Sequence, residues 1–386
     1  MSDREYDVIV FGATGFTGRL VAEHLARRAA SPGFRWAIAG RSADKLAHVK
    51  SELEAPGEVG IIEADAGDPA SLARMAQRTR VVLSTVGPYA RHGEPVVAAC
   101  VQEGADYVDI TGEPDFVDLC LARYHGPARD KGLRLVNCCG FDSVPHDLGA
   151  LFTVERLPSG EPIVLEAFVR AHGTFSGGTW QSAINAFSEA RHRGALFPEP
   201  PPAGGDRRVR LQKPRIRYDR ALRAWVCSLP TIDPQIVLRS AAALDVYGPD
   251  FSYGHYAQVR SGARLAGGIA GIGAIAALAQ LGPTRDLLRR VRPAGEGPSP
   301  EERARHWFQV TFRGQASSRQ VVTRVSGGDP GYSETSKMVA ESALCLALDR
   351  ERLPDRTGVL TPAVAMGDLL INRLQQVGIR FELLEG

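Results

Sequence analysis

Lysine is scarce in this chain of 386 residues. Lys45, Lys50, Lys131, Lys213 and Lys337 are the only lysines, and arginine supplies the rest of the basic charge. That limits any mechanism built on a lysine base. No Tyr-x-x-x-Lys pair occurs, since Tyr332 and Lys337 stand five apart, so the catalytic pair of short-chain dehydrogenases is missing. Cysteine is sparse as well. Cys100, Cys120, Cys138, Cys139, Cys227 and Cys345 form no Cys-x-x-Cys pair, and their spacing gives neither a disulfide framework nor a zinc site. Reduced thiols in a cytoplasmic protein are the simplest reading. His-Glu-x-x-His is absent and the nine histidines are scattered, which argues against a catalytic metal. Gly-x-Ser-x-Gly is absent, which argues against an α/β-hydrolase. A net charge of +2 leaves no electrostatic footprint for nucleic acid. Charged Asp3, Arg4 and Glu5 run straight into an apolar strand, so no signal peptide is expected.

What the chain does have is alternation. Short apolar runs at 6–11, 35–39, 59–63, 81–85, 106–110 and 134–137 read as strands. Helical patterns separate them, at 43–53, 71–77, 94–103 and 116–131 among others. Strand and helix in turn predict an α/β domain of Rossmann type, a doubly wound parallel sheet with helices on both faces. After about residue 150 the rhythm changes. Strands are expected at 164–172, 209–211, 216–218, 307–313 and 320–325, helices at 179–193 and from 334, and Pro/Gly loops at 198–206 and 293–300. A second, mixed α/β domain follows from that pattern.

The strongest signal is Gly12-Ala13-Thr14-Gly15-Phe16-Thr17-Gly18, placed between the first strand and the first helix. Glycine lets the backbone turn tightly and approach a pyrophosphate, and the helix N-terminus offers it N–H groups and partial positive charge. The spacing is G-x-x-G-x-x-G, so the strand–loop–helix context carries the assignment. A tight turn without a ligand is the alternative. At the end of the second strand stand Gly40-Arg41-Ser42, with Lys45 a turn later and no acid at the strand end. A cation there suits the 2′-phosphate of NADP(H) rather than the bare ribose of NAD. An exposed arginine at a helix start is the other reading. Asp65-Ala66 after the third strand would lie near the adenine, and Thr85-Val86-Gly87-Pro88-Tyr89 after the fourth would line the nicotinamide side.

With these residues in hand, the chain resembles the saccharopine dehydrogenase-like oxidoreductases, and more narrowly the trans-acting enoyl reductases that serve polyketide synthases making cell-envelope lipids. The matching segments are Gly12–Gly18, Ala39–Ser42, Thr85–Tyr89, Tyr107–Glu113, Cys139–Pro145, Gly177–Thr179, Gly358–Ala363 and Met366–Asp368. At His146 the sequence departs from the family pattern, where a small polar residue is more usual. The resemblance implies an NADP-binding domain over 1–150, a substrate and dimerisation domain over 151–330, and a C-terminal helical segment, 331–386, that returns to brace the first domain. It also implies an NADPH-dependent reductase of a C=C bond in a lipid or polyketide acyl intermediate, free or carrier-bound. Saccharopine-type imine chemistry and a non-catalytic NADP(H)-sensing regulator are the competing readings.

Reduction of an enoyl thioester needs a hydrogen-bond donor at the thioester oxygen and a proton for the α-carbon. Tyr89, Ser143 or a backbone N–H fit the first role. Tyr89 reads equally as a packed aromatic with a satisfied hydroxyl. Ser143 and Asp147 read more simply as capping residues of the helix that opens at Pro145. Glu113 faces the site or caps the next helix, and Cys138-Cys139 end a buried strand. Gly177-Gly178-Thr179 binds an anion or simply turns.

Leu265–Leu281 has no charge and is rich in glycine and alanine. It is short for a membrane span. It is read as lying on a membrane surface or walling an acyl chain, or else as a core helix or subunit contact. Arg207, Arg208, Arg210, Lys213, Arg215, Arg217, Arg220 and Arg223 cluster in one segment. An acidic carrier protein, a CoA-type phosphate or an anionic lipid surface would suit them, as would a solvated edge strand. The expected protein is cytoplasmic or peripheral at a membrane, with a homodimer formed through the mixed sheet.

Overall fold

A computed structural model describes residues 4–29, 33–54, 58–173, 204, 206–280, 282–291 and 297–386. The helix expected at 179–193, Gly177-Gly178-Thr179, most of the 198–206 loop and part of 293–300 lie outside the described residues. The chain divides into two compact units. One is the chain up to Val144 together with Gly331–Gly378; the other is Pro145–Pro330 together with Ile379–Gly386.

The first unit is built on β1 (Tyr6–Phe11), β2 (Trp36–Gly40), β3 (Gly60–Glu63), β4 (Thr79–Ser84), β5 (Asp106–Asp109) and β6 (Arg134–Val136), all parallel, in the order 3-2-1-4-5-6. Continuous runs such as Val8-Ile9-Val10-Phe11 form strands because helices cover both faces and both sets of side chains are buried. The connecting helices are α1 (Phe16–Arg28), α2 (Ala43–Glu52), α3 (Pro69–Gln77), α4 (Tyr89–Glu103) and α5 (Pro114–Asp130). Local chemistry fixes their ends. Asp68 accepts from Ala70 N at 3.0 Å and Pro69 opens α3. Gly104, at φ 79°, closes α4 in the left-handed region. α4 starts at Tyr89, five residues before the sequence reading placed it; Pro95 resembles a helix start yet sits inside the helix.

The second unit opens with α6 (Val144–Val154), followed by β7 (Ile163–His172), β8 (Arg208–Leu211), β9 (Ile216–Asp219), β10 (Ala224–Ser228), α7 (Asp233–Ala243) and β11 (Asp250–Val259). Two helices, α8 (Gly262–Ala279) and α9 (Gly282–Val291), and the short α10 (Pro300–Arg303) lead to β12 (Trp307–Gln315) and β13 (Gln320–Gly327). β7 pairs in parallel with β11 on one side and antiparallel with β12 on the other, so the sheet is mixed. α6 lies close on it: a Cβ at Gly149 would run into the Phe312 ring, and the Thr153 and Thr323 hydroxyls meet at 2.6 Å. Four of the eight basic residues in the arginine-rich segment, Arg207, Arg210, Arg215 and Arg217, are engaged within this unit. The Arg207 guanidinium donates to the Ala241 and Leu244 carbonyls at 2.7 and 2.8 Å, capping the C-terminal end of α7. Arg215 and Arg217 bind Glu166 at 2.7 and 2.9 Å, and Arg217 and Arg313 bind Asp219 at 2.7 and 3.2 Å.

α8 is not a core helix. Only Ala279 in it is buried. Gly267, Gly268, Gly271 and Gly273 would meet no heavy atom within 4 Å if they carried a Cβ. Each costs about 1 kcal/mol of helix propensity against alanine, with no packing in return.

Beyond Gly331 the chain rejoins the first unit. α11 (Ser333–Leu348) is buried almost throughout. Its Glu341 carboxylate lies 2.9 Å from both His24 Nε2 and Arg28 and 3.1 Å from Arg373. Burial works against that charge, but the three partners outweigh it and hold the carboxyl below its ordinary range. β14 (Gly358–Leu360) then adds a seventh parallel strand beside β6, and α12 (Pro362–Gln376) follows. The last strand, β15 (Arg380–Glu385), pairs with β13 in the second sheet. The C-terminal segment is thus more than a bracing helix: it supplies strands to both sheets.

Candidate active site

Parallel strands bring the carboxyl ends of β1, β2, β3 and β4 to one edge, and the glycine segment crosses that edge. Gly12 has φ 96°, where only glycine is unstrained, and a Cβ there would stand 2.7 Å from Thr85 Oγ1 and 2.8 Å from Val86 Cγ2. Gly18 packs against the loop itself. A Cβ would press into the Gly12 carbonyl, 2.8 Å from its carbon and 2.9 Å from Ala13 Cα. Gly15 N donates to Gly12 O at 3.0 Å and closes the turn. α1 opens at exposed Gly15 with no side-chain cap and no acid in its first turn, which suits an external anion. α4 differs. The Glu113 carboxylate accepts from Tyr89 N at 3.0 Å and Ala90 N at 2.8 Å. Glu113 therefore caps α4, not the helix that follows it.

The other expected residues gather around this loop. Ala13 is buried; Thr14 and Thr17 are half-buried. Phe16 turns its ring edge-on to Tyr332 at 4.7 Å. Thr85 Oγ1 donates to Phe11 O at 3.2 Å, tying the end of β4 to the start of the loop, and Val86-Gly87-Pro88 lead on to Tyr89. Arg41 is exposed directly after β2. Ser42 caps α2 by accepting from Lys45 N at 3.4 Å, and the Lys45 side chain is exposed. The Asp65 carboxylate accepts from Gly67 N at 2.8 Å in a local turn, next to half-buried Ala66. Bare glycine backbone, a helix N-terminus without a cap and a cation with no acid at the end of β2 fit the pyrophosphate and 2′-phosphate of NADP(H).

The two catalytic candidates are otherwise engaged. Tyr89 is buried, its hydroxyl donates to Ser84 O at 3.0 Å and accepts from Ile110 N at 3.4 Å. Burial pushes its pKa well above the ordinary phenol value. Ser143 is buried and donates to Asp142 O at 2.7 Å. Beside them, at the end of β5, Asp109 accepts from Thr111 N at 3.1 Å, Cys138 N at 2.9 Å and Asn137 Nδ2 at 2.8 Å. Burial outweighs these bonds and raises its pKa to about 6. The Cys138 amide donates its bond from a left-handed backbone, at φ 62°.

One cluster escaped the sequence reading. In the second unit, Asp233 Oδ1 lies 2.6 Å from His146 Nδ1 and its Oδ2 lies 3.6 Å from His255 Nε2. Tyr253 OH is 3.1 Å from His255 Nδ1. All are buried. The three residues group with facing ligand atoms within 4.8 Å of one another. The His146–Asp233 spacing is that of a direct imidazole–carboxylate contact, closer than the roughly 3.3 Å that two ligands of a tetrahedral ion keep. Burial holds the His255 pKa down at about 4. Burial also opposes the Asp233 charge, but the two imidazoles prevail and keep its pKa low. Far-apart positions hid the cluster; the unusual His146 was its single sequence signal.

Residues 8–136 match the saccharopine dehydrogenase NADP binding domain. A Mycobacterium tuberculosis protein, provisionally named a trans-acting enoyl reductase, is 40% identical over 98% of this chain and 97% of its own length. A trans-acting enoyl reductase of Mycobacterium ulcerans is 35% identical over 98% and 97%. The human saccharopine dehydrogenase-like oxidoreductase is 33% identical over 99% and 98%. The fold is that of apo saccharopine dehydrogenase (L-Glu forming) from Saccharomyces cerevisiae, at TM-score 0.56 and 12% identity over 98% of this chain and all of that one. Identity of this extent over nearly the whole length shows that the chain belongs to the saccharopine dehydrogenase-like oxidoreductases, with NADP(H) as its cofactor.

Proposed function

We propose that the protein reduces a C=C bond of an unsaturated lipid-like or polyketide acyl intermediate, with NADPH as reductant. NADPH supplies the hydride. The Gly12–Gly18 loop and the start of α1 hold its pyrophosphate, Arg41 binds the 2′-phosphate, and Thr85–Tyr89 shape the nicotinamide end. The observation that carries the reading is the bare glycine cradle with Arg41 at the end of β2, in a chain whose full-length relatives are named for enoyl reduction. Tyr89 and Ser143 are the side-chain candidates for polarising the thioester oxygen. Each now donates to a carbonyl, so each must exchange that partner for substrate before it acts. A small-molecule or carrier-bound acyl group, a cytoplasmic or membrane-peripheral location and a homodimer through the second sheet belong to the same reading. β15, at the edge of that sheet, leaves Leu383 51% exposed.

Titration with NADPH and NADH, followed by nicotinamide fluorescence, tests the cofactor half. Arg41→Ala is expected to weaken NADPH about tenfold or more, the worth of one charge-assisted phosphate contact, and to leave NADH nearly unchanged. Enoyl thioesters are then offered and NADPH consumption is followed. Turnover on an imine but not on an enoyl thioester would replace the reading with saccharopine-type chemistry. Binding without turnover on either would make the protein a nucleotide sensor.

A further inference from the structure

α8 is an apolar cylinder without a polar face. Its 18 residues contain one charge, Arg264, have mean hydropathy 1.5, and only Ala279 among them is buried. Ile269 and Ile272 are 44% and 53% exposed. A helix that is apolar all round requires apolar surroundings all round. Among the described residues the protein itself buries only Ala279 of it. Its many glycines are poor in a water-exposed helix and common in helices surrounded by lipid.

The charge beside it has one dominant sign. Between 260 and 296 the sequence carries Arg260, Arg264, Arg285, Arg289, Arg290 and Arg292 against Asp286 and Glu296. α9 begins three residues after α8 ends, the Thr284 hydroxyl donates to the Leu278 carbonyl, and Leu287 on α9 is exposed. Topology adds a constraint. β11 before this excursion and β12 after it both pair with β7. The chain thus leaves and re-enters the same sheet, so α8 cannot make a single crossing that strands the protein on two sides of a bilayer.

We propose that α8, with α9, seats in one leaflet of an anionic membrane. The apolar helix enters the acyl region and the arginines meet lipid phosphates. This inference does not depend on which bond the enzyme reduces. Flotation of the full chain with phosphatidylcholine vesicles, with and without phosphatidylglycerol, tests it. Wild type is expected to float with the anionic vesicles. Ile269→Asp/Ile272→Asp is expected to lower the bound fraction at least about tenfold, because a carboxylate in the acyl region is strongly disfavoured. Arg264→Gln/Arg285→Gln is expected to lose several-fold of the preference for anionic lipid. Circular dichroism and NADPH titration should be unchanged in both variants. Wild type that stays with the soluble fraction in both lipids, or an Asp variant that floats as well as wild type, overturns the proposal. So does a wild-type dimer that does not float and that the Asp variant splits, which would assign α8 to a second copy of the chain.

Discussion

Gly18→Ala is expected to abolish useful NADPH binding, with a loss of about 100-fold or more, equivalent to roughly 2.7 kcal/mol. The methyl group would occupy the position of the Gly12 carbonyl, and Ala13 Cα stands 2.9 Å away on the other side. Neither neighbour is a side chain that swings aside; both are backbone. Gly12 in turn is hemmed in by Thr85 and Val86, so the turn cannot retreat toward β4. The loop must open between β1 and α1, and the N–H groups at the start of α1 then no longer converge on the pyrophosphate. Gly15→Ala provides the contrast. Gly15 is exposed at φ −78°, a value alanine adopts freely, and its Cβ would meet only the Gly12 carbonyl oxygen at 3.3 Å. Stability should therefore hold while NADPH weakens by about tenfold, because the methyl is added at the uncapped N-terminus of α1, where the pyrophosphate is expected. Thermal unfolding and nicotinamide fluorescence on both variants check the pair. A Gly18→Ala protein that binds NADPH within threefold of wild type would show that the cofactor lies elsewhere.

That loop was legible because its cause is local: an apolar strand, three glycines and a helix in immediate succession. The six-strand alternation was legible for the same reason, since strands covered on both faces are continuous apolar runs. Other features depend on partners that sequence spacing does not reveal. β14 is only Gly-Val-Leu, too short to carry a period, and it exists because β6 offers it an edge. β11 carries Gly254 and His255 among its aromatics, and it is a strand because β7 and β10 pair with its backbone on either side. Glu113 caps a helix that begins 24 residues earlier, and the choice between that helix and the next is a tertiary fact. Tyr89 shows the limit most clearly. Its position after a strand end favoured catalysis and packing equally; the structure gives its hydroxyl to Ser84 and Ile110.

Two buried groups should give the two units opposite responses to acid. His255, with its pKa held at about 4, is neutral in the folded protein and ordinary in the unfolded chain at about 6.5. A depressed base contributes stability above the unfolded value and loses it as pH falls through the folded one. Asp109 is raised to about 6 from about 3.8 unfolded. Its stabilising contribution is complete below the unfolded value and is lost as pH rises through the folded one. Between pH 7 and pH 5, linkage gives a loss of about 2 kcal/mol from His255 and a gain of about 1 kcal/mol from Asp109. The groups facing His255 are Asp233, His146 and Tyr253; Asp233 loses stability in the same direction below about pH 4. His255→Gln keeps a donor toward Asp233 but cannot take up the proton, so its loss on acidification should nearly vanish. Asp109→Asn keeps an oxygen for the amides of Thr111 and Cys138. Asn137 can then rotate its amide, whose oxygen is buried without a partner, to accept from the new NH2 group. That variant should be more stable than wild type at pH 7, and its advantage should shrink by about 1 kcal/mol at pH 5. Urea unfolding of all three proteins at both pH values measures the difference directly. Parallel pH profiles in wild type and both variants would mean that neither burial is as dry as the packing around it implies.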